Sequence, residues 1–251
     1  MIDRAYLLGE QKRNDVLALS EIQRYGSDNF DDADYVTVYG LRPAEWYARG
    51  VRLLARTAVE CTRDALADRM GRDVAAVARA APGVSGTVVV DPFAGSANTL
   101  HWLARHLQAD RAVGFELDAG VYEATRRNLA LLDLGITLQL TGHEAGFEAL
   151  RVGADDLLAV FVAPPWGDAL DPASGLDLRH TEPSVPAIIE LVAHSFSAHK
   201  VLLATQVYEK VVAASLAQAA AGCEWSALEM YDINAPGQNH GLLLGTVGWR
   251  P

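Results

Sequence analysis

The chain has 251 residues, half of them hydrophobic, and a formal net charge of −11. That length supports one sizeable core, or one domain with an elaborated end. The acidic balance argues against RNA or DNA as the main partner, because gripping a phosphate backbone calls for a basic patch and here the basic residues are scattered.

Residues 1–80 read as helical. Ala5 to Arg24 is a helix candidate, and 25–34 is an acidic, turn-rich stretch holding Asp28, Asp31, Asp32 and Asp34. Pro43 suits the first turn of a long helix to about Met70, with Trp46, Val51, Leu54, Ala55, Ala58, Cys61 and Ala65 on its apolar side and Gly71 as its stop. A short helix through Val74–Val77 follows, and Pro82-Gly83 with Ser85-Gly86 marks a boundary. The division expected is a helical region over 1–82, acting as a lid or substrate region, and a core over 83–251.

From Thr87 onward strands and helices alternate. Strands are predicted at 87–91, 111–116, 136–141, 157–163, 199–206, 224–232 and 241–248, and helices at 97–108, 118–133, 144–150, 184–196 and 208–221. Val88-Val89-Val90 and Leu157–Val162 are unbroken apolar runs, as expected of parallel strands covered on both faces. Only the loop from Asn234 to His240 separates the last two strands, too little for a crossover helix, so they pair antiparallel. The fold class is α/β: a seven-stranded Rossmann-like sheet with a helical N-terminal extension.

Two segments carry chemistry. In Val88–Asn98 a buried strand ends at Asp91 and turns through Phe93, Gly95 and Ala97 into a helix. Gly95 lets the backbone approach a ligand, and the helix start offers free N–H groups to a carboxylate. Asn98 and Thr99 cap that helix or touch the ligand. Glu116 ends the next strand, 25 positions after Asp91, where an acid bonds ribose hydroxyls. Leu117 adjoins it, and His143 after the third strand lies at the adenine edge. Ala163 completes this cofactor set of Asp91, Phe93, Gly95, Ala97, Asn98, Thr99, Glu116, Leu117, His143 and Ala163.

The second segment, Ala163-Pro164-Pro165-Trp166-Gly167, follows the fourth strand. Two prolines fix the backbone, remove two N–H donors and leave carbonyls facing the site. An amino group donating to those carbonyls has its lone pair aligned for methyl transfer, and Trp166 stacks on a planar or cationic acceptor. Pro164, Pro165 and Trp166 are therefore the residues assigned to the transfer step, which works by positioning.

The block Asp91-Pro92-Phe93-Ala94-Gly95-Ser96-Ala97-Asn98-Thr99, with Pro164-Pro165-Trp166-Gly167, resembles the S-adenosylmethionine (SAM)-dependent amino-methyltransferases of class I, above all the trimethylguanosine synthase and RNA guanine-N2 methyltransferase type. Asp177-Leu178-Arg179 and the Tyr39–Trp46 region extend the likeness, which spans about 35–210. It implies SAM as cofactor and methylation of an amino or amide nitrogen. Three departures qualify it. Ala97 stands where a glycine is expected. Ala163 replaces the usual Asn, Asp or Ser before the prolines. No basic surface is evident, and an acidic 28–34 stretch at the mouth would attract a cation. The expected acceptor is thus a small planar or cationic molecule. The alternatives are an RNA guanine-N2 acceptor, a non-methyl use of SAM (alkyl transfer or cyclisation), and a non-catalytic SAM-binding scaffold.

Other residues add little chemistry. His180 and Glu182 read as a surface pair, and His194 and His199 lack the i, i+4 spacing of a shared metal site. Cys61 and Cys223 have no C-x-x-C partners and are expected to be reduced thiols. No apolar run spans a bilayer and no leader pattern opens the chain, so a cytoplasmic protein without membrane attachment is expected.

Overall fold

A computed structural model describes residues 2–171, 173–232 and 239–251. Most of the predicted loop from Asn234 to His240 lies outside the described residues. One seven-stranded sheet organises the chain. Its strands are β1 (Gly86–Asp91), β2 (Arg111–Glu116), β3 (Ile136–Leu140), β4 (Asp156–Val162), β5 (Lys200–Tyr208), β6 (Trp225–Tyr231) and β7 (His240–Val247), in the order β3-β2-β1-β4-β5-β7-β6. The first five pair in parallel, and β7 runs antiparallel between β5 and β6. This is the seven-stranded Rossmann-like sheet expected from the sequence. The chain winds outward from β1 through β2 to β3, returns to β4 and winds the other way, so the crevice of the topological switch opens between β1 and β4.

Alternation along the strands divides the core. Val89, Ala112, Leu157, Ala159 and Phe161 face one side with the N-terminal region, while Val88, Val90, Phe115, Leu158 and Val160 face the other. α5 (Asp64–Ala78), α6 (Asn98–Leu107) and α7 (Ala119–Leu132) cover the first face; α8 (His143–Ala149), α9 (Val185–Ser195) and α10 (Ala213–Ala221) cover the second. The predicted helix at 208–221 begins later than expected, because β5 continues through Tyr208.

The N-terminal region differs more. Ala5–Arg24 is not one helix: α1 (Arg4–Leu8) and α2 (Leu19–Phe30) are separated by turns and an extended stretch whose Val16 bridges to Leu54. The long helix expected from Pro43 is three pieces, α3 (Pro43–Ala48), α4 (Ala55–Glu60) and α5. Gly50, at φ +87°, ends the first. The chain then runs extended, its backbone groups taken by partners distant in sequence. Leu53 O accepts from Leu17 N at 3.0 Å, and the Asn128 carboxamide brackets Arg52, accepting from its N at 3.0 Å and donating to its O at 2.7 Å.

Gly71 is not a stop either. It lies inside α5, where a Cβ would come within 2.9 Å of the Trp102 carbonyl oxygen and 2.7 Å of His106 Cδ2. Its role is the close approach of α5 to α6. Gly71→Ala should therefore lower stability by about 1–3 kcal/mol through overpacking, despite alanine's better helix propensity. Urea unfolding checks this; a neutral or stabilising effect would mean that the two helices part without cost.

Candidate functional site

Both motifs come to the same edge of the sheet, at the C-terminal ends of β1 and β4, one on each side of the switch point. After β1 the chain turns sharply. Gly95 has φ +50° and Ala97 φ +57°, so the left-handed conformation that favours glycine is kept at Ala97 with a methyl in place. That methyl is fully buried. The turn is held from three directions. Glu116 Oε2 accepts from Gly95 N at 3.0 Å, Thr125 Oγ1 donates to Gly95 O at 2.7 Å, and the Tyr39 hydroxyl donates to Ser96 O. Beside Gly95 a Cβ would meet only Phe93 O, at 3.9 Å, and beside Gly167 it would meet nothing within 4 Å. Both glycines thus border open space.

Two acids stand at the ends of β1 and β2. Asp91 is 2% exposed and its Oδ1 accepts from Phe93 N at 3.0 Å. Burial, with Glu116 adding to it, pushes its carboxyl up to about 7, against the opposing Phe93 hydrogen bond. Glu116 is also raised, chiefly by burial, while its Oε1 accepts from Asp118 N at 2.8 Å. Asp118 caps α7 and meets the Arg56 guanidinium at 2.5 Å; that hydrogen bond is the main reason its carboxyl is held at about 2. Leu117 is 78% exposed. It approaches Gly142, and Phe93 lies 5.6 Å from the His143 ring, giving apolar and aromatic surface at the end of β3.

Asn98 is placed differently from expectation. It does not offer its side chain to a ligand or cap α6; Ala97 occupies the cap position. Its Oδ1 accepts from Tyr39 N at 2.7 Å, and its Nδ2 donates to Thr62 O at 2.8 Å and to Asp64 Oδ1 at 3.1 Å. Thr99 is buried within the first turn of the same helix.

On the acceptor side, Ala163 is half-buried, Pro164 buried and Pro165 exposed, and Trp166 begins a single 3-10 turn at 167–169. Trp166 stacks on His240 (5.3 Å between centroids, 29° between planes) and meets Tyr208 edge-on at 6.2 Å. His240 Nδ1 lies 2.8 Å from Gln206 Nε2, and Gln206 Oε1 accepts from Thr62 Oγ1 at 3.2 Å. Gln206 and His240 were not singled out in the sequence, since a glutamine inside an apolar strand and a histidine opening another carry no motif.

The acidic stretch does not supply the charge felt at this point. Asp28 accepts from Ile2 N and pairs with Arg24, Asp32 accepts from Asp34 N, and Asp34 lies 3.9 Å from Arg42. The charged groups that act on His240 are Arg4, Glu209 and Arg63. Arg179 donates to Asp177, with His180 nearby and exposed, while His199 approaches Val152 O. Among the described residues no cluster of His, Cys, Asp and Glu is arranged to hold a metal ion, and no helix is long and apolar enough to cross a membrane. Both cysteines are unbridged.

No family model and no curated protein matches the chain. Solved structures with similar coordinates include an rRNA methylase from Streptococcus thermophilus (17% identity, 71% of this chain and 96% of that one, TM-score 0.45). Others are a precorrin-6y C5,15-methyltransferase from Geobacter metallireducens (15%, 76% and 90%, 0.47) and a methyltransferase from Geobacter sulfurreducens (16%, 74% and 79%, 0.45). At these values the fold assignment rests on strand order and direction, not on the neighbours.

Asp91 makes a pH-dependent contribution to stability. A carboxyl whose folded pKa exceeds its unfolded value of about 3.9 costs the fold nothing below that value. Stability is then lost as pH rises through the folded value of about 7. Asp91→Asn keeps an acceptor for Phe93 N and removes the charge. It should raise the melting temperature of the ligand-free protein at pH 8 and leave it nearly unchanged at pH 4. Melting curves of both proteins across that range check this; a shift independent of pH contradicts it.

Proposed function

We propose that the protein is a SAM-dependent methyltransferase that methylates an amino or amide nitrogen on a small planar molecule. The observation that carries this reading is the placement of the two motifs on opposite sides of the β1/β4 switch point, each bordering open space. Glu116 is positioned at the end of β2 for ribose hydroxyls, and the α6 N-terminus with the Gly95 turn for the amino-acid end of the cofactor. Leu117, Phe93 and His143 provide surface for a purine ring. Ionised Asp91 and Glu116 favour a ligand bearing positive charge, which suits a sulfonium and an ammonium. The site therefore fits SAM, which when bound supplies an activated methyl group.

The chain's part in the transfer is geometric. The carbonyls of Ala163 and Pro164 are the candidate acceptors for the N–H donors of the amine, which fixes the nitrogen lone pair along one direction. Trp166 is the platform that holds the acceptor ring in that plane. Methyl transfer to a neutral amine needs orientation more than a strong base: the S–CH3 bond would break as the C–N bond forms, leaving a neutral thioether, and the ammonium would then give its proton to water. The planar acceptor is favoured over a cationic one because the charges acting on the aromatic wall at His240 are Arg4 and Arg63, opposed by Glu209, and the 28–34 acids are not among them. The same two guanidiniums favour the second reading, an RNA guanine-N2 acceptor, since phosphates would meet positive charge there.

Methyl-labelled SAM incubated with the protein and a cell extract separated into RNA, protein and small-molecule fractions distinguishes these readings. Label in the small-molecule fraction is expected; label in RNA selects the second reading. No label with intact SAM binding points to a scaffold or to non-methyl chemistry. Trp166→Ala should lower turnover by roughly a hundredfold while changing SAM affinity by less than about threefold. Equal loss of both would make Trp166 a structural residue.

A further inference from the structure

The acceptor wall contains a polar relay that the two motifs do not account for. It runs from the Thr62 hydroxyl, between α4 and α5, to Gln206 on β5 and on to His240 at the start of β7, whose ring lies against Trp166. The direction of each hydrogen bond follows from the first. Thr62 donates to Gln206 Oε1, so the amide NH2 faces His240. An amide nitrogen only donates, and Nδ1 at 2.8 Å must therefore be the unprotonated, accepting nitrogen of the imidazole. The ring proton then sits on Nε2, and among the described residues no group accepts it.

Resting on the proposed amino-methyltransferase reading, we infer that His240 is a specificity-determining residue: its Nε2–H is the donor for an acceptor atom adjacent to the amine, so the substrate is an amino-substituted heteroaromatic ring. The wall and the proline loop then present complementary groups. Backbone carbonyls at Ala163 and Pro164 take the amine's protons, and His240 donates to the ring nitrogen or carbonyl oxygen beside it. An alkylamine or a carbocyclic arylamine satisfies only the first half and leaves a half-buried donor unpaired, which costs affinity. The surroundings keep the ring neutral. Burial chiefly, then Arg4 and Arg63, pushes His240 down to about 4, with Glu209 the opposing charge.

Two measurements test this on the full-length protein. In the wild type at pH 7, ¹⁵N spectra of labelled histidine, assigned with His240→Phe, should show His240 neutral and protonated at Nε2. Protonation at Nδ1, or a charged ring, overturns the inference. Binding to the S-adenosylhomocysteine-loaded protein is then compared for 2-aminopurine, whose amine lies between ring nitrogens, and 2-aminonaphthalene, which has none. Wild type should prefer 2-aminopurine, and His240→Phe, which retains a ring for Trp166, should lose about tenfold of that preference. An unchanged preference in the variant, or no 2-aminopurine binding by the wild type, also overturns it. SAM binding by the wild type and His240→Phe is titrated separately. Its absence in the wild type would sink the methyltransferase reading, and unchanged affinity in the variant shows that the loss is confined to the acceptor.

Discussion

The carboxamide of Asn98 is the interaction on which the arrangement depends. It is 1% exposed and spends its hydrogen-bonding capacity on Tyr39 N, Thr62 O and Asp64 Oδ1, three groups of the N-terminal segment. Asp64 in turn accepts from Trp102 Nε1 at 2.7 Å and from Gly40 N at 2.9 Å. Apart from the exposed Gly40 N, these are buried or part-buried polar groups, and leaving one of them unpaired costs about 1–3 kcal/mol. The segment before the sheet is thereby fixed to the first turn of α6, the helix whose N-terminus faces the cofactor side. Arg56–Asp118, His106–Asp68 and Tyr231–Asp73 extend the attachment along the same face.

That attachment also explains how Ala97 holds a conformation suited to glycine. A left-handed alanine costs about 1–2 kcal/mol. Burying its methyl group recovers roughly 0.8 kcal/mol. The remainder is offset by the bonds that allow the turn no other shape, from Tyr39 to Ser96 O, Thr125 to Gly95 O and Gly95 N to Glu116. A turn constrained on every side presents its backbone groups to a ligand without further ordering. The alanine reshapes nothing in the turn; it makes the turn dependent on the N-terminal segment.

The sheet was legible because its signals are local. Val88-Val89-Val90 and Leu157–Val162 are apolar without interruption, and the glycine turn and double proline sit where each strand must end. The N-terminal region was not legible for a physical reason. Trp46, Val51, Leu54, Ala58 and Cys61 repeat at helical intervals, yet the backbone at 51–54 bonds to Leu17 and Asn128, partners that no local window contains. Gly71 shows the same limit, because a glycine that ends a helix and one that admits a neighbouring helix are identical in sequence. At the site, Asp91, Gly95, Glu116 and Trp166 announce themselves through spacing, whereas Gln206 and His240 matter only because β5 and β7 lie side by side, Gln206 pairing with Leu242 and Tyr208 with His240.

The distribution of charge bears on what kind of acceptor can enter. Net charge of −11 is the excess left after pairs such as Asp118 with Arg56, Asp177 with Arg179, Asp28 with Arg24 and Asp68 with Arg72 have cancelled, and it belongs to the whole surface. Within the crevice the signs separate. The buried Asp91 and half-buried Glu116 carboxyls stand on the side of β1 and β2, while the guanidiniums of Arg4 and Arg63, opposed by Glu209, act at the end of β7. On the proposed reading, a cationic cofactor suits the first side and a neutral acceptor the second. On that reading, the positive charge that develops on the acceptor nitrogen faces these guanidiniums, so the indole face of Trp166 and the Glu209 carboxylate are what offset it.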